Sequence, residues 1–222
     1  MPELKQSIHF CRADDGLRLA YSTMGKGPPL IRAAHYLTHL EYDLRNLLWR
    51  PWLAELSRHH TLVRYDPRGC GLSDRETSDL PLERWVADLE AVVDAAGFER
   101  FVLFGASQSG AIAITYAARH PERVTRLVIY GGFLRGAMRR NPTPEQVRQW
   151  QMMLGLVELG WGRDNPVGVG ELSPVFFQVP AKAASNCAPS SALIVVRNER
   201  HHWPVTAPSS FTETLLVFLK RQ

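Results

Sequence analysis

Cysteine is scarce in this chain: Cys11, Cys70 and Cys187 are the only three in 222 residues. An odd, widely spaced set with no CxxC pair excludes a disulfide framework and predicts a reducing compartment. No His, Asp, Glu and Cys residues fall at metal-ligand spacing, so no metal and no other cofactor is expected. Long apolar runs are missing too. No stretch approaches the roughly 20 residues that cross a bilayer, and Met1–Gln6 has no basic segment leading into an apolar core, as a signal peptide would. The chain therefore reads as soluble and cytoplasmic, with no membrane partner. A basic surface with aromatic interleaving is the third absence. Net charge is +4, but the densest runs, Arg135–Arg140 and Arg197–His202, lack the stacking residues of a nucleic-acid interface. The basic balance suits a solvated face that helps an anionic molecule approach.

What is present is an ordinary globular balance, 45% hydrophobic and 22% charged, on a chain long enough for one α/β domain with a substantial core. Ser7–Ala13 and Leu17–Thr23 alternate as strands around Asp14-Asp15-Gly16. Leu30–His35 and Thr61–Tyr65 are short apolar strands, with a helix over Leu44–Arg58 between them. Leu82–Ala96 is a second helix, capped by Gly97. Phe101–Gly105 and Val124–Tyr130 are further strands, separated by a helix over Ala111–His120. This alternation predicts a mostly parallel sheet with helices on both faces. Beyond Gly132 the pattern changes. Pro142–Leu159 is helical, with Thr143 as N-cap and Trp150, Met153, Leu154 and Val157 as its apolar stripe. Trp161–Pro189 is loop-like, with order suggested only at Val175–Val179. Leu193–Val196 is a strand and Phe211–Leu219 a closing helix. There is no internal repeat.

The most informative segment is Phe101-Val102-Leu103-Phe104-Gly105-Ala106-Ser107-Gln108-Ser109-Gly110. An apolar strand runs into a turn of small residues and then a helix, the arrangement that lifts a serine hydroxyl above the carboxyl edge of a parallel sheet. The usual spelling is G-x-S-x-G. Here Ser109 holds the last glycine's place and Gly110 follows.

With these residues the chain resembles the α/β-hydrolase superfamily over about residues 7–165. Asp66-Pro67-Arg68-Gly69-Cys70-Gly71-Leu72-Ser73-Asp74 is similar to the family's D-x-R-G-x-G-x-S-D loop, and Tyr116–Val124 is a further characteristic stretch. His39–Tyr42, Tyr130–Gly132 and Gly160–Pro166 look like bacterial hydrolase domains found alone or joined to adenylate-cyclase or LuxR-type regulators. The resemblance fails between about Val167 and Pro189, where the chain is shorter than the family pattern. It implies one α/β-hydrolase domain over residues 1–222, with a reduced helical cap inserted at about 134–190.

A serine hydroxyl needs a base, and the base needs an orienting acid. The family order is Ser, then acid, then His. The resemblance makes Ser107 the nucleophile and places His202 on the family histidine, with His201 beside it. His120 closes the helix after the elbow and reads as a structural residue. The acid stays open among Glu199, Asp164 and the less well-matched Glu171. Backbone N–H groups of Gln108 and Tyr36 are the expected oxyanion donors, although Ala34-His35 stands where the family has His-Gly. His35 itself reads equally as a strand-end residue packed beneath that loop. Asp66, Arg68 and Asp74 are expected to knit the loop below the site, and Ser109 to pack at the helix start. Trp150, Met152 and Met153 could line an acyl pocket or belong to the core. These residues imply a serine hydrolase for small carboxylic esters, with a homodimer left open. Serine at the elbow argues against haloalkane dehalogenases and epoxide hydrolases, which resemble this fold but carry Asp there. The other reading is a non-catalytic or truncated α/β-hydrolase-like domain for ligand sensing or interaction.

Overall fold

A computed structural model describes residues 4–35, 38–46, 49–77, 80–132, 141–160 and 192–196. The chain opens with an antiparallel hairpin, β1 (Ser7–Arg12) and β2 (Arg18–Met24), in register from Ser7↔Thr23 to Arg12↔Arg18. Its turn is Asp14-Asp15-Gly16, where Asp15 Oδ1 accepts the Leu17 N–H at 3.3 Å. Five parallel strands follow: β3 (Pro29–Arg32), β4 (Thr61–Tyr65), β5 (Phe101–Ala106), β6 (Val124–Tyr130) and β7 (Ala192–Val196). The sheet order is β1-β2-β4-β3-β5-β6-β7, with β2 antiparallel to β4. Parallel neighbours need crossover connections. Those between β3 and β6 carry α1 (Arg50–His59), α2 (Leu82–Ala96) and α3 (Ser109–Arg119), and α4 (Pro144–Gly160) follows β6.

Adjacent residues of a strand point to opposite faces, and the apolar strands supply both. Ile31, Val63, Leu103, Leu127 and Ile129 pack with Val86, Leu89, Val92 and Val93 of α2 and Ile112, Ala113 and Tyr116 of α3. Their neighbours Leu30, Leu62, Val102, Phe104 and Val128 face the other way, onto Trp52, Leu53 and Leu56 of α1. β5 is buried along its whole length because both its faces are covered. This is the expected α/β architecture, a mostly parallel sheet flanked by helices.

Several expected boundaries move by one or two residues, and three differences have a local cause or consequence. The helix expected over Leu44–Arg58 becomes a 3-10 turn at Tyr42–Leu44 and then α1, which starts at Arg50 with Pro51 in its first turn. A proline lacks the N–H that an interior position must donate, but a first turn does not use it. The strand expected to run to His35 ends at Arg32, although the Ala33 N–H still bonds Phe104 O at 2.9 Å. α3 begins two residues early, at Ser109. Thr143 does cap α4: its Oγ1 accepts the Gln146 N–H at 3.2 Å, and Gln146 Oε1 accepts the Thr143 N–H at 2.9 Å. Met152 is 71% exposed on that helix, so it does not belong to the core. The expected cap beyond residue 160, order at Val175–Val179 and the helix Phe211–Leu219 lie outside the described residues.

Candidate active site

Ser107 sits between the last residue of β5 and the start of α3, with φ at +54°. That left-handed conformation is costly for a residue with a side chain, and it persists only where the surroundings enforce it. They do so through close packing. A Cβ on Gly105 would lie 2.8 Å from the Ser109 carbonyl oxygen and 2.8 Å from Ala113 Cβ. A Cβ on Gly110 would lie 2.9 Å from Gly132 Cα. Strand β5, helix α3 and the end of β6 therefore approach at backbone distance. Two hydrogen bonds hold the turn itself: Ser107 N–H to Tyr130 O at 2.9 Å, and Gly110 N–H to Ser107 O at 3.1 Å. Ser109, fully buried, adds a side-chain clamp. Its Oγ accepts the Ala106 N–H and donates to Ala106 O, each at 2.9 Å.

Ser107 and Gln108 are half-buried, while Ser109 and Gly110 beside them are buried. Gln108 takes the N-cap position of α3. Its N–H belongs to the leading amides that a helix leaves without intrahelical acceptors, where the helix dipole favours negative charge.

The segment after β3 is anchored by a polar cluster that the sequence reading missed. His35 is buried, bonded through Nε2 to Arg32 Nη2, and its ring lies 5.0 Å from that of Trp49. The Arg32 guanidinium lies over the rings of Trp49 and Trp52, at 4.6 and 4.7 Å. Burial lowers its pKa to about 10, against the opposing charge of Asp43. Arg64 is buried beside it and donates to Asp43 Oδ2 at 2.9 Å. The available signal was an arginine after two apolar residues in each of two strands, Leu30-Ile31-Arg32 and Leu62-Val63-Arg64. Only strand register brings them together.

The loop after β4 is knitted as expected. Asp66 Oδ2 accepts the N–H groups of Leu40 at 3.2 Å and Leu72 at 2.9 Å, joining the loops after β3 and β4. Burial pushes the Asp66 carboxyl upward, and those two N–H groups oppose the shift. Arg68 makes a two-point contact with Asp88 of α2, at 2.8 and 2.6 Å, and reaches Asp15 of the hairpin at 2.8 Å. The hydrogen bonds that Arg68 donates to Asp88 lead in raising its pKa, so the guanidinium stays charged. Asp74 accepts the Arg18 N–H at 2.9 Å. Between these loops, α2 and α3 lies a small cavity of about 120 Å³, touched by His35 and Gln108.

His120 closes α3, with Nε2 3.0 Å from Glu90 Oε1 and Nδ1 3.7 Å from Glu122 Oε1. Its ring is thus engaged with α2 and its own following turn. Tyr36, Asp164, Glu171, Glu199, His201 and His202 lie outside the described residues. Ala106 pairs with Tyr130 and Tyr130 with Val196, so the chain leaves β7 level with the elbow and two strands away. Among the described residues no helix is long and apolar enough to cross a membrane, and no His/Cys/Asp/Glu group could hold a metal ion.

A parallel sheet with a strained serine between strand and helix defines the class, and comparison with known proteins agrees. The family described as the alpha/beta hydrolase fold matches residues 42–172, and the chain belongs to it. The 2-hydroxy-6-oxo-2,4-heptadienoate hydrolase of Pseudomonas putida is 39% identical over 84 residues, 37% of this chain and 30% of that protein. Epoxide hydrolase 4 of Mus musculus is 31% identical over 131 residues, 58% of this chain and 35% of that protein. The chain therefore spans about a third of the length of these curated relatives. A hydrolase from Pseudomonas aeruginosa matches with TM-score 0.62 at 20% identity, over 96% of this chain and 98% of that one. That likeness is one of fold alone.

Proposed function

We propose that this chain is a serine hydrolase that cleaves small carboxylic esters through an acyl-enzyme on Ser107. The Ser107 oxygen attacks the ester carbonyl carbon while His202 takes its proton. The N–H groups of Gln108 and Tyr36 hold the oxyanion of the tetrahedral intermediate. Collapse breaks the ester C–O bond, and the imidazolium returns the proton to the leaving alcohol. Water then attacks the acyl-enzyme with His202 again as base, releasing the acid and restoring the Ser107 hydroxyl. Glu199 and Asp164 are the two carboxylates considered for orienting His202. Glu199 lies three residues before His202 in the sequence.

The observation that carries this reading is the conformation of Ser107. A half-buried serine at φ +54°, braced from both sides, has strain that a plain loop would not retain. The relatives' names cover several hydrolytic reactions, so the ester assignment rests on this serine and not on them.

Hydrolysis of p-nitrophenyl acetate and labelling by a fluorophosphonate test it, with Ser107→Ala as the comparison. The variant is expected to lose about 10³-fold or more of the turnover, as removal of a nucleophile does, and all of the label. Equal rates for the two proteins, with no label on Ser107, would instead favour a non-catalytic ligand-sensing or interaction domain.

A further inference from the structure

We infer that the cavity beside the elbow is an acyl pocket, and that it restricts the enzyme to uncharged acyl tails of up to about four carbons. This inference rests on the serine-hydrolase reading and specifies its substrate.

The cavity touches both segments expected to hold the oxyanion. Gln108, whose N–H is one proposed donor, is on its wall, and so is His35 at the end of the β3 segment. A carbonyl held at that position directs its substituent either into the cavity or away from it. The leaving alcohol must depart before water attacks, which suits the direction away from the cavity. The acyl tail stays attached through both steps, which suits the cavity.

The lining chemistry selects an apolar tail. Ala34, Pro67, Cys70, Leu80, Trp85 and Ile112 provide most of the wall. The charged groups there are already engaged: Arg68 bonds Asp88 and Asp15. The Tyr65 hydroxyl accepts a hydrogen bond from the Ala34 backbone. Burial, ahead of the Asp66 charge, pushes the Cys70 thiol up, so it remains neutral. A carboxylate on the tail would find no unpaired cation and would meet Asp88.

Volume sets the length. About 120 Å³ is available. At roughly 30 Å³ for each water-sized group, that is room for about four, somewhat less than a 150 Å³ cavity known to take benzene. Leu80 is half exposed, which puts it at the rim.

The test is kcat/KM for p-nitrophenyl acetate, butanoate and octanoate and for the p-nitrophenyl half-ester of succinic acid. Each methylene gained or lost in an apolar pocket changes this ratio by about tenfold or more. The wild type is expected to prefer butanoate over octanoate, and over the succinate half-ester, by about tenfold or more. Trp85→Leu enlarges the pocket and should raise the octanoate-to-butanoate ratio about tenfold. Cys70→Leu fills it and should lower the butanoate-to-acetate ratio by a similar factor. Leu80→Ala, at the exposed rim, substitutes for Trp85→Leu if that protein does not fold.

A chain-length profile unchanged in the folded variants, while Ser107→Ala still abolishes turnover, overturns the pocket and leaves the nucleophile standing. Absence of turnover and of fluorophosphonate label in the wild type overturns both.

Discussion

Ser109 stands where the elbow pattern has glycine, and its hydroxyl takes part in the turn. It satisfies both backbone groups of Ala106 from a site with no solvent access. Removing it leaves a buried N–H and a buried carbonyl without that partner, and each such loss costs about 1–3 kcal/mol. Ser109→Ala is therefore expected to lose at least about 1 kcal/mol in urea denaturation, with slower fluorophosphonate labelling at Ser107. A loss below about 0.3 kcal/mol would mean that the clamp is incidental. Packing at the helix start was the sequence reading of Ser109, and that is correct for its burial. What the pattern could not convey is the hydrogen bond back onto Ala106. It depends on the fold of the turn at Ser107, which brings the two residues together.

At the scale of elements, β5 and α3 meet at backbone distance beside the site. Gly105 faces a carbonyl oxygen and a methyl group, each at 2.8 Å from where its Cβ would be. Neither the backbone nor Ala113 has a flexible end to move aside. Gly105→Ala is expected to destabilise by about 1–3 kcal/mol, the usual range for forced overpacking. It should also slow labelling of Ser107, because the strand and helix must separate to admit the methyl. Unchanged melting and labelling together would show that the crossing has slack. Elements with strong period and clear punctuation were legible in the sequence: Thr61–Tyr65, Leu82–Ala96 and Val124–Tyr130 have the boundaries expected of them. Misread boundaries have local causes. Leu44–Arg58 has helical spacing throughout, yet Pro51 selects a first turn and moves the start to Arg50. Ala111 looked like a helix start because Ser109 and Gly110 are poor helix formers. In the elbow, their small size is what lets the helix begin against the sheet.

At the scale of the molecule, what was legible is whatever depends on neighbours in sequence; what was not depends on register. The strand–serine–helix elbow is local, and Asp66, Arg68 and Asp74 can be picked out as one loop although their partners Leu40, Asp88, Asp15 and Arg18 are distant in sequence. The buried pair Arg32 and Arg64 is not local, since the two are Cα partners across β3 and β4. Like charges directly opposite are destabilising, and both guanidiniums are buried here. Asp43 is the compensating group. Its Oδ2 lies 2.9 Å from Arg64 Nη1 and 3.9 Å from Arg32 Nη1, and accepts the Thr38 hydroxyl at 3.1 Å. Asp66 also acts on both arginines, but its bonding oxygen serves the Leu40 and Leu72 N–H groups. Asp43→Asn preserves shape and an acceptor oxygen while removing the charge. Breaking a buried ion pair by neutralising one partner costs about 3–5 kcal/mol, a large share of the roughly 5–15 kcal/mol that holds a domain together. The variant should unfold at markedly lower urea concentration. If repulsion between the arginines is the cause, adding Arg32→Met should return part of the loss, because one uncompensated cation then leaves the core. A double variant no more stable than Asp43→Asn alone would instead put the cost in the Thr38 and Arg64 hydrogen bonds. An Asp43→Asn loss below about 1 kcal/mol would remove the carboxylate from the account of why two arginines can lie side by side beneath the site.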